Sequence, residues 1–75
     1  MNADQRKMIE DLVAQLNTLR DEFENLKSEE EDKYDNLPES LQDAELGEGI
    51  QEAIDNLDDG ISYLSDAIDT FERLC

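Results

Sequence analysis

The second half of the chain writes one seven-residue pattern three times: Glu52-Ala53-Ile54-Asp55-Asn56-Leu57-Asp58, Asp59-Gly60-Ile61-Ser62-Tyr63-Leu64-Ser65 and Asp66-Ala67-Ile68-Asp69-Thr70-Phe71-Glu72. Each copy places an acid first, a small residue second, isoleucine third and a large apolar residue sixth. Apolar steps of three and four gather on one side of a helix, whereas a strand sorts residues by alternation. The segment therefore reads as a helix with a thin apolar stripe and carboxylates over most of the remaining surface. Function is to be sought on that surface rather than in a pocket.

The first segment carries the matching half of the pattern. Ile9, Leu12, Leu16, Leu19, Phe23 and Leu26 form a heptad seam, and Met8 and Val13 widen it near the amino terminus. Asn2 with Gln5 three residues on is a capping box, and Asp4 suits the first turn of a helix dipole. The helix is expected over about 3–34. Glu30 takes the next seam position within an almost wholly polar run, residues 28–33, so the end of the helix is expected to project into solvent or fray.

Asn36-Leu37-Pro38 ends the first helix, because the residue before proline is pushed out of the α region. Pro38 then opens a short helical connection over about 35–44, whose Leu37 and Leu41, with Leu46 just beyond, fold over the end of the pair. Gly47 and Gly49 mark a boundary. The second helix is expected over about 45–74, with Ala53, Gly60 and Ala67 as close-contact positions under ridges of the first. The fold class is all-α: a single domain, 1–75, forming an antiparallel helical hairpin. A chain of 75 residues seldom stabilises itself on one small core, so two hairpins are expected to pair as a homodimer, a four-helix bundle.

Charge narrows the function classes. The chain has 22 acidic and 6 basic side chains, a formal charge of −16. Residues 1–34 contribute −5 of this and residues 35–75 contribute −11. Such a field repels nucleic acid and anionic lipid, so neither is an expected direct partner; a basic protein is. No apolar run reaches the roughly 18 residues of a membrane span, and the amino terminus lacks the order of a signal peptide, which places the protein in the cytoplasm.

Chemistry finds little purchase. There is no histidine and one cysteine, which excludes an internal disulfide and the usual zinc ligand sets and leaves Ser, Thr and Cys75 without an imidazole base. Asp55, Asp59, Gly60 and Asp66 fall at positions 1, 5, 6 and 12 of a calcium loop, but Leu57 and Ser62 break its pattern and the apolar heptad runs straight through. No enzyme, metal or cofactor is expected. The candidate partner-binding residues are Glu52, Asp55, Asp58, Asp59, Asp66 and Asp69, with Tyr63 as an aromatic anchor among them.

The stretch Tyr34-Asp35-Asn36-Leu37-Pro38-Glu39-Ser40-Leu41-Gln42, then Gly47-Glu48 and the Ala-Ile-Asp heptads, resembles a set of small uncharacterised acidic proteins of bacteria and their phages. The likeness spans about residues 29–74. More loosely, the chain is similar to the DNA-mimic inhibitors that block restriction, CRISPR or other nucleic-acid-binding machinery. That resemblance implies an anti-defence inhibitor in the host cytoplasm that occupies a basic, nucleic-acid-binding protein. It carries over no residue, since those inhibitors share charge and not sequence. The alternative reading is a structural coiled-coil assembly or scaffold protein.

Overall fold

The computed structural model describes all 75 residues, and it is a hairpin of two long helices. The long helices are α1 (Ala3–Asp35) and α3 (Glu45–Glu72), joined through the short helix α2 (Glu39–Gln42). The rod they form measures 58 × 15 × 11 Å between Cα atoms. No helix is long and apolar enough to cross a membrane. Two contacts mark the antiparallel register: Cys75 Sγ lies 4.0 Å from the Arg6 carbonyl, and Lys27 Nζ lies 2.7 Å from Asp58 Oδ1.

Each terminus has a local cause. The Asn2 side chain accepts the Gln5 N–H at 2.8 Å and Gln5 Oε1 accepts the Asn2 N–H at 3.1 Å, so the capping box forms in full. Helix α1 does not fray over residues 28–35. Lys33 Nζ pairs with Glu30 Oε1 at 2.7 Å, which neutralises the acid at the seam position, and Tyr34 is half-buried where the helix meets α3. The connection is then stitched back: Gln42 Nε2 donates to the Tyr34 carbonyl at 3.1 Å. Helix α3 begins at Ala44 without a side-chain cap, and Glu45 and Glu48 in its first turn face the positive end of the helix dipole.

The glycines do not play the parts their spacing suggests. Gly47 and Gly49 both lie inside α3 rather than before it. Gly47 is buried, and a Cβ there would collide with the Gln42 carbonyl and stand 2.6 Å from the Leu41 carbonyl oxygen. Its bare backbone is what lets α2 fold against α3. Gly60, by contrast, is exposed with nothing within 4 Å of its Cβ position. It is not a close-contact position within the hairpin, and Ala53 and Ala67 are only half-buried.

The reason is the phase of the two stripes. On α1 the residues turned to α3 are buried Val13 and half-buried Ile9, Leu16, Arg20, Lys27 and Tyr34. Leu12, Leu19, Phe23 and Leu26 are exposed, so the apolar seam is rotated about 50° away from the helix contact, at about 100° per residue. On α3, Ile54 and Ile68 are buried, Ile68 to 1% exposure, while Leu46, Phe71 and Leu74 are exposed. The overhang is on the same flank of both helices, since Ile9, Leu12, Leu16 and Leu19 share one groove with Phe71 and Leu74. Three apolar side chains are buried and eleven large ones are exposed, so the helix contact covers only part of the apolar surface.

Replacing Gly47 by Ala is expected to destabilise the hairpin by about 1–3 kcal/mol, because backbone rather than a flexible side chain must give way. Replacing Gly49, whose Cβ position is open, should stabilise it by up to about 1 kcal/mol through helix propensity. Urea midpoints of the two variants against the parent check the contrast in sign.

Candidate functional site

The heptad that packs Ile54, Ile61 and Ile68 also determines where the acids go. At about 100° per residue, Asp58, Asp69, Asp55, Asp66, Asp59, Glu52 and Tyr63 occupy, in that angular order, an arc of about 140° on α3. All seven are exposed, Tyr63 to 73%. The arc begins beside the helix contact and ends on the outer face of the rod. It does not encircle α3: the opposite flank carries Leu46, Ala53, Gly60, Ala67, Phe71 and Leu74. On α3 the expected acid coat is thus one-sided, acidic along one flank and apolar along the other.

Along the acidic flank the carboxylates are largely free. Three of the chain's 22 acids make ion pairs: Glu30, Glu31 and Asp58. Gln51 Nε2 donates to Asp55 Oδ1 at 3.2 Å, which fixes that side chain lengthwise along the helix. Glu52, Asp59, Asp66 and Asp69 have no ion-pair partner in the hairpin, so their field falls on solvent or on a partner. Residues 55–66, the stretch with calcium-loop spacing, stay in one uninterrupted helix. Their carboxylates are strung out along the axis on one side instead of converging, and no group of three or more Cys, Asp or Glu side chains is placed to hold a metal ion.

Asp58 stands apart from the other candidates. It is the α3 end of the one ion pair between the long helices, with Lys27 Nζ at 2.7 Å and Glu31 Oε1 3.8 Å from the same ammonium. The hydrogen bond to Asp58 and the negative charge of Asp58, Glu31 and Glu24 raise the Lys27 pKa above 10.5, against a smaller opposing cost of desolvation. Lys33 is raised in the same direction by its hydrogen bond to Glu30. Asp58 is therefore partly committed to holding the hairpin, and the site available to a partner centres on Asp55, Asp59 and Asp66. Lys27 was not singled out by sequence. Its signal was there, since it directly follows seam residue Leu26, but choosing its acid requires the register of the pair.

The apolar flank holds the other feature of the surface. A groove of about 370 Å³ runs between α1 and the end of α3, lined by Ile9, Leu12, Val13, Leu16, Leu19, Phe71 and Leu74, with Gln15 its one polar member. A smaller, polar cleft at the turn end is lined by Glu31, Tyr34, Asp35, Gln51 and Ile54.

No protein-family model matches this sequence, and neither a curated protein nor a solved structure is significantly similar to it.

The Lys27 pair has a pH signature of definite sign. A lysine whose pKa is raised on folding contributes stability that is fully present below its unfolded value and is lost as pH rises through the folded one. The urea midpoint of the parent should exceed that of Lys27→Met by a constant margin through neutral pH, and the margin should close only above pH 10.5. A margin that closes below that pH would show that the pair contributes nothing through this protonation.

Proposed function

We propose that the chain is a non-enzymatic binding module whose acidic flank occupies the nucleic-acid site of a basic protein, acting as a phage or mobile-element inhibitor of a host nucleic-acid-binding defence protein. The observation that carries this reading is charge per unit length. A net charge of −16 on a rod 58 Å long is one negative charge per about 3.6 Å. The phosphates of one DNA strand are spaced at about 3.4 Å. Solubility alone asks for a net charge of only about 2–8 in a small domain.

Stiffness supports the same reading. Carboxylates on a continuous helix are held at fixed intervals, so a basic groove meets them without first ordering a flexible chain. Tyr63, at the far edge of the arc, supplies the rigid aromatic surface that contact anchors commonly use. A partner that binds there exchanges counterions for carboxylates, and its affinity falls as salt rises. Glu52, Asp55, Asp59, Asp66 and Asp69 are the contact residues of this proposal, with Asp58 shared between partner and fold.

A second reading, a scaffold or assembly element, is favoured by the bare apolar flank. The two make opposite demands: a scaffold tolerates lysine in place of the acids and fails when Leu12 or Leu19 is made polar.

The test is capture from a bacterial lysate at about 50 mM salt, run in parallel with the parent chain and with the triple variant Asp55→Lys, Asp59→Lys, Asp66→Lys. The proposal expects proteins held by the parent alone, displaced by added duplex DNA, and weakened at least about tenfold between 50 and 200 mM salt. Proteins held equally by both chains, or retained unchanged at about 0.5 M salt in the presence of DNA, would contradict it.

A further inference from the structure

We infer that the apolar flank is the docking surface for a second copy of this chain, so that two hairpins stack face to face as a four-helix bundle with their acidic flanks outward. The inference stands on the apolar flank alone and does not depend on how the acidic flank is used.

Area sets the scale of what is missing. A compact monomer of 8.6 kDa exposes about 4,700 Å² by the general scaling of surface with mass. This hairpin exposes 5597 Å², an excess of about 900 Å². A stable dimer of ordinary size buries about 800 Å² from each partner. The open flank is apolar: Leu12 is 50% exposed and Leu19 47%, and Phe23, Leu26, Phe71 and Leu74 are left in the same half-covered state.

Charge selects the occupant. The groove has no charged residue in its lining, so a basic partner finds nothing there to pair with. Another copy of the chain, despite its −16, can approach this flank because Glu52, Asp55, Asp58, Asp59, Asp66 and Asp69 of its α3 turn away from it and Glu30, at the α1 seam, is paired with Lys33. The surface is also built to be shared. In heptad register Ala53, Gly60 and Ala67 lie on this flank between Leu46 and Leu74, and the Gly60 Cβ position is open to 4 Å. Gly60, which no ridge of α1 covers, leaves space for a side chain of a facing helix. A two-fold axis through the flank sets overhanging leucines of one copy against the small row of the other, as an isologous interface requires.

Docking in this way also doubles the charge on the rod. Two copies stacked along their length carry one net charge per about 1.8 Å, close to the ~1.7 Å of duplex DNA.

The experiment is the molar mass of the full chain at about 100 μM by light scattering, with dissociation constants from sedimentation, for the parent, the double variant Leu12→Gln, Leu19→Gln, and Gln15→Glu. The parent should run at twice 8.6 kDa and the double variant at 8.6 kDa with its helical circular dichroism retained. Gln15 is exposed and glutamate keeps its helix propensity, so Gln15→Glu preserves the fold while placing a carboxylate at the groove of each copy; its dissociation constant should rise at least about tenfold. Should the double variant unfold, Gln15→Glu decides alone. Because both copies are acidic, added salt should tighten the parent dimer, opposite in sign to its effect on a basic partner. A parent that runs as a monomer, as a trimer or larger, or as a dimer that Gln15→Glu leaves unweakened would overturn the inference.

Discussion

Everything in this molecule follows from the angle between where its apolar residues lie and where its two helices touch. Ile54, Ile61 and Ile68 face α1 and Val13 faces α3, but the wider part of both stripes, from Leu12 to Leu26 and from Leu46 to Leu74, turns past the contact to one side. Helices that pack along only the edge of their apolar faces leave a bare flank by necessity. On α3 they also free the opposite flank of any apolar duty, and that is where its carboxylates collect. A seam centred on the helix contact would have given a self-sufficient hairpin with charge all round.

The two flanks divide the work. On the charged side the Lys27–Asp58 bond crosses between the helices, while Asp55, Asp59 and Asp66 stay free. On the apolar side nothing polar except Gln15 lines the groove. The functional proposal and the self-association proposal thus draw on different surfaces. They remain compatible because a second copy docked on the apolar flank adds acids to the outside without covering those already there.

Most of the fold was legible in the sequence. The heptads, the Asn2–Gln5 capping box and Pro38 placed both long helices to within two residues of where they lie and gave the short helix between them. Gly47 and Gly60 were not legible. Heptad spacing assigned close packing to Gly60, which is open, and a boundary to Gly47, which is the buried point where the α2 carbonyls lean on α3. Sequence spacing shows which residues share a face but not which edge of that face a partner takes, and this one-sided rotation decides both glycines. The exposure of the seven candidate residues and their common arc on α3 followed from the pattern; the commitment of Asp58 to Lys27 needed the pair's register.

Pairing through the apolar flank would leave one flank of each hairpin covered and the other open. Leucine methyl and tyrosine ring signals, recorded with a neutral soluble relaxation agent on the chain at about 100 μM, test it directly. The account predicts that the Leu12, Leu19 and Leu26 methyls are shielded although a single hairpin leaves them half exposed, while the Tyr63 ring is fully relaxed. Leucine methyls relaxed as strongly as the Tyr63 ring would contradict it.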